Sequence, residues 1–410
     1  MSGQGGQRML EPRAAALRIA EILREHGHLA YFAGGCVRDR LFGIEPHDYD
    51  IATDAVPDRL KEIFPRARGV GAAFGVMLVP KGGRQVEVAT FRSDGPYEDA
   101  RHPTSVSFGS PEADALRRDF TVNGLFEMPQ TGEIIDYVDG QADIKARVLR
   151  AIGDPDARLE EDHLRMLRAV RFAARFELEI ESNTASAIAS RASRLAGVSR
   201  ERVGQELRRM LGAPSRSVAV SLIERFAMDF SVLGGRNAGE RLRVDRLPVH
   251  APWIDVLAAW LVDRDPEGSR LEARDLADRM VKQLVLSNQE REELFQLLEI
   301  RDVLLGEWAG MGVAARKRLA AREMFIRAVD LLAAGEPDAA EPVRSDYASL
   351  EADGLAPEPF LNGADLLEDG FSQGRELGRV LEQVFDAQLE GRISNREEAL
   401  AMARALHGRP

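Results

Sequence analysis

Two carboxylates and a glycine pair are the residues of this chain best placed to do chemistry. In A-G-G-C-V-R-D-R-L-F-G-I-E-P-H-D-Y-D (33–50), Asp48 and Asp50 lie two positions apart, downstream of Gly34, Gly35 and Arg38. On an extended strand, residues i and i+2 share a face about 7 Å apart, so two such acids call for a cation between them. D-x-D is therefore a mount for a divalent metal, and a glycine pair is where phosphate can meet backbone N–H groups. Metal together with phosphate is nucleotide chemistry. Glu87 becomes a third carboxylate of this set if its strand neighbours that of Asp50, and is otherwise an ordinary solvent-facing glutamate. Arg117 and Arg118, in L-R-R-D-F-T-V-N-G-L (116–125), offer guanidinium forks that match the oxygens of a triphosphate. A surface ion pair with Asp119 is their simpler use.

The elements that must hold these residues can be read around them. Apolar spacing over 14–26, closed by Gly27, predicts a helix, and Leu29–Ala33 a strand running into Gly34. Val37–Phe42 reads as one or two helical turns ended by Gly43, and Asp48–Thr53 as the acid-bearing strand. Thr53 or Asp54 is positioned to cap a helix over 56–64, which Pro65 stops. Gly75–Val79 and Gln85–Phe91 flank P-K-G-G, a hairpin signal. Ser93–Ser105 is polar and rich in Pro and Gly, a loop of the length that serves as a lid. Arg117–Asp119 then precede an apolar, helix-like run to Leu125.

A second constellation lies in R-L-E-E-D-H-L-R-M-L-R-A-V-R-F-A-A-R-F (158–176), read as one amphipathic helix with Leu164, Leu167, Val170 and Ala174 as its apolar stripe. Asp162 and Arg165 are i, i+3 neighbours on another face. Such a pair is commonly a solvated salt bridge. An acceptor-only acid beside a donor-only arginine also complements the base edge of cytosine or adenine and rejects guanine and uracil. Arg165, Arg168, Arg171 and Arg175 recur at helical spacing, and 145–216 carries fifteen Arg/Lys against ten Asp/Glu, a basic region fit for a phosphate backbone. Another helix starts at Ser199, and 213–410 is helical in pattern throughout.

Composition sets the outer bounds. The 410 residues carry a net charge of −12, with 44% hydrophobic and 30% charged residues, the profile of a soluble globular protein that does not coat nucleic acid over its whole surface. The single cysteine, Cys36, permits no internal disulfide and no zinc cluster, and fits a reducing, cytoplasmic compartment. No export signal and no membrane-spanning run is read, and the histidines form no metal-ligand spacing.

Taken together, G-G-C-V-R-D (34–39) with D-Y-D (48–50), V-E-V-A-T-F-R (86–92), Y-E-D-A-R-H-P (97–103), R-R-D-F-T-V-N-G-L (117–125), D-Y-V-D-G-Q-A-D-I (136–144) and E-D-H-L-R-M-L-R-A-V-R-F-A (161–173) resemble the class II CCA-adding enzymes and bacterial poly(A) polymerases. These belong to the polymerase-beta-like nucleotidyltransferase superfamily. The match is strong over about 30–175, then narrows to E-R-V-x-x-E-L (201–207) and the Gly-rich turn near 363–378. It implies an α+β fold: a nucleotidyltransferase head with a small mixed sheet (1–145), then all-helical neck (146–215), body (216–335) and tail (336–410), in a seahorse-shaped layout.

The resemblance further implies Asp48 and Asp50 as ligands of Mg²⁺ and Gly34, Gly35 and Arg38 at the triphosphate. It places Arg118, Asp119 and Asn123 at phosphate and ribose, and Asp162 and Arg165 at the incoming base, with Arg168 in the same nucleotide-binding set. Asp136 and Gly140 fall where the family places a hinge. Gly124 stands where alanine is more usual. The function implied is template-independent addition of CCA to the tRNA 3′ end from CTP and ATP, and 97–103 resembles the loop needed for the final adenosine. An A-adding enzyme, a poly(A) polymerase and a catalytically silent RNA-binding protein are the alternatives. The acidic tail, twelve acids against six Arg/Lys over 351–410, weighs against the polymerase.

Overall fold

The computed structural model describes residues 9–71, 75–95, 105–234, 242–264 and 272–407, and divides the chain into two compact units, Met1–Gly234 and Gly235–Pro410. The first opens with α1 (Pro12–Glu25), whose proline at the first turn costs no hydrogen bond. Its Ala15, Ala16, Ile19, Ala20 and Leu23 form one buried stripe. They pack on a sheet face supplied by Phe32, Ile51, Met77, Val79, Val88 and Leu125. The sheet comprises β1 (Ala30–Ala33), β2 (Ile51–Thr53), β3 (Arg68–Gly71), β4 (Val76–Lys81), β5 (Arg84–Thr90), and later β8 (Leu125–Glu127) and β9 (Ile134–Asp136). Its order is β3-β4-β5-β2-β1-β8-β9, antiparallel throughout except that β2 and β5 run parallel. The small mixed sheet is as expected. On the opposite face Ala33, Ala52, Phe91, Ala115 and Phe126 form a second core.

Short helices connect the strands: α2 (Gly35–Leu41), α3 (Pro57–Ile63) and α4 (Pro111–Leu116), with a small ribbon of β6 (Arg92–Asp94) and β7 (Val106–Phe108) ahead of α4. Three sequence expectations shift here. The strand expected over Asp48–Thr53 forms its ladder only from Ile51. The expected cap at Thr53 or Asp54 is replaced by Val56, because Thr53 stays in the strand and Asp54 accepts the Leu29 N–H (2.9 Å) instead. The helix-like run before Leu125 is a single 3-10 turn, Thr121–Asn123, entering β8. Ser93 belongs to β6, and the expected 97–103 loop lies outside the described residues.

Then follow α5 (Gly140–Ala146), β10 (Val148–Leu149), α6 (Pro155–Glu161), α7 (Arg165–Phe176), β11 (Glu179–Ile180), α8 (Ser182–Arg191), α9 (Arg200–Leu211), α10 (Arg216–Arg225) and α11 (Asp229–Leu233). The helix expected over 158–176 is broken into α6 and α7. Asp162 adopts an extended conformation (φ −154°, ψ 104°), its side chain accepting from the Leu164 N–H at 3.0 Å and its carbonyl from the Arg165 N–H at 3.0 Å. An aspartate that bonds the chain ahead of it competes with the helix it interrupts.

The second unit holds, among its described residues, helices alone: α12 (Arg243–Arg246), α13 (Trp253–Arg264), α14 (Ala273–Leu284), α15 (Asn288–Gly306), α16 (Val313–Ala320), α17 (Phe325–Gly335), α18 (Pro337–Ala352), α19 (Gly363–Glu368), α20 (Arg375–Leu389) and α21 (Arg396–Leu406). Trp260 of α13 and Phe325 of α17 are fully buried, and Leu366, Phe371, Val380 and Val384 centre a separate core between α19, α20 and α21. Ser287 and Asn362 open α15 and α19 with capping boxes. Among the described residues no helix is long and apolar enough to cross a membrane.

Gly140 shows how tightly the first unit is joined. The Asp136 carboxylate accepts from the N–H groups of Val138 (3.0 Å), Gly140 (3.1 Å) and Gln141 (2.9 Å), which presses the start of α5 onto the 3-10 turn. A Cβ on Gly140 would overlap the backbone carbonyl of Thr121, which cannot swing aside as a side chain can. Gly124 is also specific, since a Cβ there would stand 2.7 Å from Val138 Cγ2 and 3.2 Å from Ile152 Cδ1. Overpacking of this kind costs about 1–3 kcal/mol. Gly140→Ala is expected to lower the thermal unfolding midpoint by several degrees, and an unchanged midpoint would contradict the packing described.

Candidate active site

The sheet brings the two sequence motifs to one edge. β1 and β2 are antiparallel with Phe32 opposite Ile51, so the exit of β1 into Gly34 meets the entry of β2 from Asp50, and the Ala33 N–H donates to the Asp50 carbonyl at 3.0 Å. Asp48 and Asp50 are exposed while Tyr49 between them is buried against Phe32, so the alternation expected of a strand holds although the ladder starts one residue later. Parallel pairing of Ile51 with Val88 sets Glu87 beside Asp50 on the neighbouring strand. Asp50 and Glu87 face the main cleft, whereas Asp48 lines an adjoining hollow together with Asp50 and Glu87.

Asp50 is exposed at its outer edge, yet crowding by the surrounding protein, then the charges of Glu87 and Asp48, push its pKa up to about 6, with Arg118 opposing. None of the three acids has an ion-pair partner among the described residues. Uncompensated negative charge of this kind fits a cation. The acids do not form a closed cage, as no group of three or more His, Cys, Asp or Glu side chains among the described residues does. An open set of one or two carboxylates, completed by phosphate oxygens and water, is the usual holder of Mg²⁺.

Opposite the carboxylates stands an arginine wall. Gly34 has a left-handed φ of 66°, and a Cβ on it would lie 2.6 Å from Arg118 Nη1, so the guanidinium rests directly over the glycine. Arg118 is held there by Asp114 (2.9 and 3.2 Å), by the Asn123 carbonyl (3.1 Å) and by the face of Phe126. Arg117 grips the other oxygen of Asp114 (2.6 and 2.9 Å). The partner of both arginines is thus Asp114 and not the expected Asp119. Burial favours the neutral form of Asp114, but Arg118 and Arg117 overcome it and hold its pKa below the ordinary value. The i, i+3 and i, i+4 spacing of Asp114 to this pair was the available signal.

Asp119 does something else. One oxygen accepts from the Phe120 N–H (2.9 Å) and the Asn123 amide (2.8 Å), the other from Arg168 (2.8 Å). The side-chain oxygen of Asn123, Oδ1, accepts from Arg38 (2.6 Å); Arg38 donates to Asp39 (2.8 Å), and Asp39 accepts from Arg175 (2.8 Å). Arg168 and Arg175 lie seven residues apart on α7, so the chain Arg168–Asp119–Asn123–Arg38–Asp39–Arg175 closes a belt that ties α7 to α2 and to the 3-10 turn. Phe172 and Phe176 lie under Arg38, each 4.7 Å away. The expected open basic face of α7 is therefore a paired one: Arg165 meets Glu161, Arg168 meets Asp119, Arg171 meets Glu206 and Arg175 meets Asp39.

The pair expected to read the base is also arranged differently from expectation. Asp162 and Arg165 do not bond through their side chains. Arg202 of α9 donates to both oxygens of Asp162 (3.1 and 2.6 Å), and with the Leu164 N–H this fills three of a carboxylate's roughly four acceptor positions. Arg165 uses Nη1 for the Arg158 carbonyl and Glu161, and among the described residues nothing takes Nε or Nη2. Sequence reasoning missed Arg202 and Glu206, although both sit in the matching stretch 201–207. The cleft of about 560 Å³ is lined by Gly34, Gly35, Arg38, Asp50, Glu87, Arg118, Asp119, Asn123, Asp162, Arg165 and Arg168, so every expected site residue but Asp48 meets in one place.

A seven-stranded mixed sheet with paired carboxylates at its central edge and an arginine wall opposite defines a nucleotidyltransferase of the poly(A) polymerase type. Residues 30–150 match the family model described as "Poly A polymerase head domain", and 177–228 that described as "Probable RNA and SrmB- binding site of polymerase A". The chain is 33% identical over 402 residues to the CCA-adding enzyme of Lactiplantibacillus plantarum, covering 94% of each. It is 43% identical to that of Geobacillus thermodenitrificans over 236 residues, 57% of this chain and 58% of the relative. The solved Bacillus stearothermophilus CCA-adding enzyme in complex with CTP superposes with a TM-score of 0.79 at 28% identity, covering 98% of this chain and 99% of that one. The chain belongs to the CCA-adding enzyme family.

The belt generates a pH prediction. Burial would raise the pKa of Asp119, but Arg168 and Asn123 together hold it far below its ordinary value, so its stabilisation is fully present above an unfolded pKa near 4 and is lost as pH falls toward the folded value. Asp119→Asn, which leaves Arg168 without its charge partner, is expected to destabilise the protein by about 3–5 kcal/mol at pH 7. In denaturant titrations the deficit should narrow below about pH 4. A deficit independent of pH would contradict the ionised belt.

Proposed function

We propose that this chain adds C, C and A to the 3′ end of tRNA without a nucleic-acid template, using CTP and ATP. The observation that carries the reading is the single cleft, which joins uncompensated carboxylates, an arginine wall and a half-engaged base-reading pair. Full-length similarity to named CCA-adding enzymes supports it. The division into head (1–145), neck (146–215), body (216–335) and tail (336–410) is part of this proposal.

In this reading Asp48 and Asp50 are the metal ligands, with Glu87 as third carboxylate. When bound, two divalent cations, assigned as Mg²⁺, would activate the RNA 3′-hydroxyl and neutralise the leaving pyrophosphate. Arg118, fixed over Gly34, meets the triphosphate beside Gly34 and Gly35. Asp119, Asn123, Arg38 and Arg168 act together: their shared hydrogen bonds fix the phosphate and ribose side of the cleft before substrate arrives. Asp162 has one acceptor position left and Arg165 has donors left, which is the complement of an amino group beside a ring nitrogen. Cytosine and adenine carry that edge, whereas uracil and guanine present an oxygen to the carboxylate. Arg202 holds Asp162 in the orientation that makes this refusal costly.

Two outcomes are expected. Asp48→Ala should reduce incorporation of labelled CMP and AMP into tRNA by at least about 10³-fold, a loss of about 4 kcal/mol, while tRNA binding stays near wild type; near-normal turnover would remove Asp48 from the reaction. Arg165→Ala should raise incorporation of UMP and GMP relative to CMP and AMP by about 10-fold or more, one interaction's worth of discrimination. Unchanged selectivity in direct competition would refute the base-reading role.

A further inference from the structure

Arg158 of α6 has no role so far, although it touches the carriers of two arginines that face the cleft. Its guanidinium donates to four oxygens: Nε to the Ile152 carbonyl (3.1 Å), Nη2 to the Leu116 carbonyl (2.9 Å), and Nη1 to the Arg117 carbonyl (3.3 Å) and to Glu161 (2.9 Å). The last carbonyls of a helix have no partner within it, and those of Leu116 and Arg117, at the end of α4, are taken by this one side chain. The Arg117 carbonyl belongs to the peptide unit that carries the Arg118 N–H. Arg158 therefore fixes the root of the arginine that stands over Gly34. Just beyond, the Ile152 N–H donates to the Asp119 carbonyl at 3.2 Å, so the stretch from Leu116 to Asp119 is pinned along its length. Arg158 holds Arg165 as directly. Its own carbonyl accepts from Arg165 Nη1 (2.7 Å), and the Glu161 oxygen that it binds accepts from the same Nη1 (2.5 Å). One residue, its side chain 16% exposed, thus joins the mounts of Arg118 and Arg165.

We propose that Arg158 is a positioning residue that fixes the spacing between the triphosphate arginine, Arg118, and the base-reading arginine, Arg165, so that one nucleotide engages both at once. The inference rests on the nucleotide-binding reading of the cleft, which Arg158 itself does not line. Two recognition points bind a ligand more tightly together than apart only where their separation matches the ligand. Triphosphate and base are the two ends of a nucleotide, and a misplacement of about 1 Å at either arginine is enough to lose much of that advantage. Asp114 aims Arg118 and Glu161 aims Arg165, but each of these acids acts at one end. Arg158 reaches both. A planar guanidinium suits this use because its donors leave in fixed directions, whereas the point charge of a lysine holds one contact and not the set. With the spacing fixed, a wrong base cannot be accommodated by a shift of the triphosphate, so Arg158 also sharpens the choice made at Arg165.

The test measures, for wild type, Arg158→Gln and Arg158→Lys, the equilibrium binding of CTP and of its two parts, cytidine and inorganic tripolyphosphate, by competition against labelled CTP without RNA. Removing Arg158 strands no charge, since Glu161 keeps Arg165 as its partner. In the Gln variant CTP should bind about tenfold more weakly, while cytidine and tripolyphosphate stay within about twofold of wild type. In turnover KM for CTP and ATP should rise by more than kcat falls, and the preference for CTP over UTP should drop. The Lys variant keeps the charge but not the fork; it should show the same pattern at smaller size, and it carries the comparison if the Gln variant does not fold. A loss shared equally by cytidine and tripolyphosphate would make Arg158 a structural residue only and overturn the proposal, and so would CTP binding equal to wild type. A wild type that holds CTP no more tightly than its parts would instead remove the nucleotide reading of the cleft, and this role with it; that outcome shows in the wild type alone and not in the variants.

Discussion

The structure depends on one closed circuit of charge, Arg168–Asp119–Asn123–Arg38–Asp39–Arg175, that fastens α7 to the sheet-bearing head. Every link is a charge-assisted hydrogen bond, between buried or half-buried groups except at the exposed Arg175, and both ends sit on the same helix. Burial makes each unpaired member expensive, so the circuit stands or falls together. Its consequence is positional. α7 carries Arg165 at its start, and fixing the helix at Arg168 and Arg175 sets Arg165 at one distance from the carboxylates that precede β2. In the proposed reaction no template strand measures that distance, so the fold must supply it.

The two walls of the cleft are electrostatic opposites for a reason. Among the described residues no ion pair offsets Asp48, Asp50 or Glu87, and the charges of Glu87 and Asp48 act with burial to raise the pKa of Asp50, a repulsion that a cation would relieve. The arginines opposite are all partially neutralised by Asp114, Asp119, Glu161 and Glu206. Partial neutralisation keeps them from collapsing onto Asp48, Asp50 and Glu87 and, in the proposed reaction, leaves donors for phosphate and base. A net charge of −12 is compatible with the proposed RNA substrate, because several arginines are gathered along the cleft.

Much of this was legible from residue types and spacing. Strand β1, the glycine turn and the β4–β5 hairpin follow from local pattern, because turn glycines and alternation are local physics, whereas Glu87 joins Asp50 only through the long-range parallel pairing of β2 with β5, on which the sequence reading was conditional. What stayed hidden was long-range pairing. Arg117 and Arg118 look toward the adjacent Asp119 in sequence, but Asp114 lies one helical turn back and takes both. The 158–176 stretch has the periodicity of one helix, and only the side chain of Asp162, bonding forward to Leu164, shows why it is two. Arg202 and Glu206 lie 40 and 35 residues from their partners Asp162 and Arg171, and no periodicity joins them.

The central claim is that one cleft, with one base-reading pair, serves both nucleotides in turn. It is tested most directly by supplying labelled CTP and ATP, separately and together, to tRNAs ending one, two or three nucleotides short. The account predicts C addition to the two shorter ends, A addition only to the tRNA ending in CC, and arrest once CCA is complete. Addition of A alone, with no C on any end, would contradict it, and so would long A tracts on unrelated RNA.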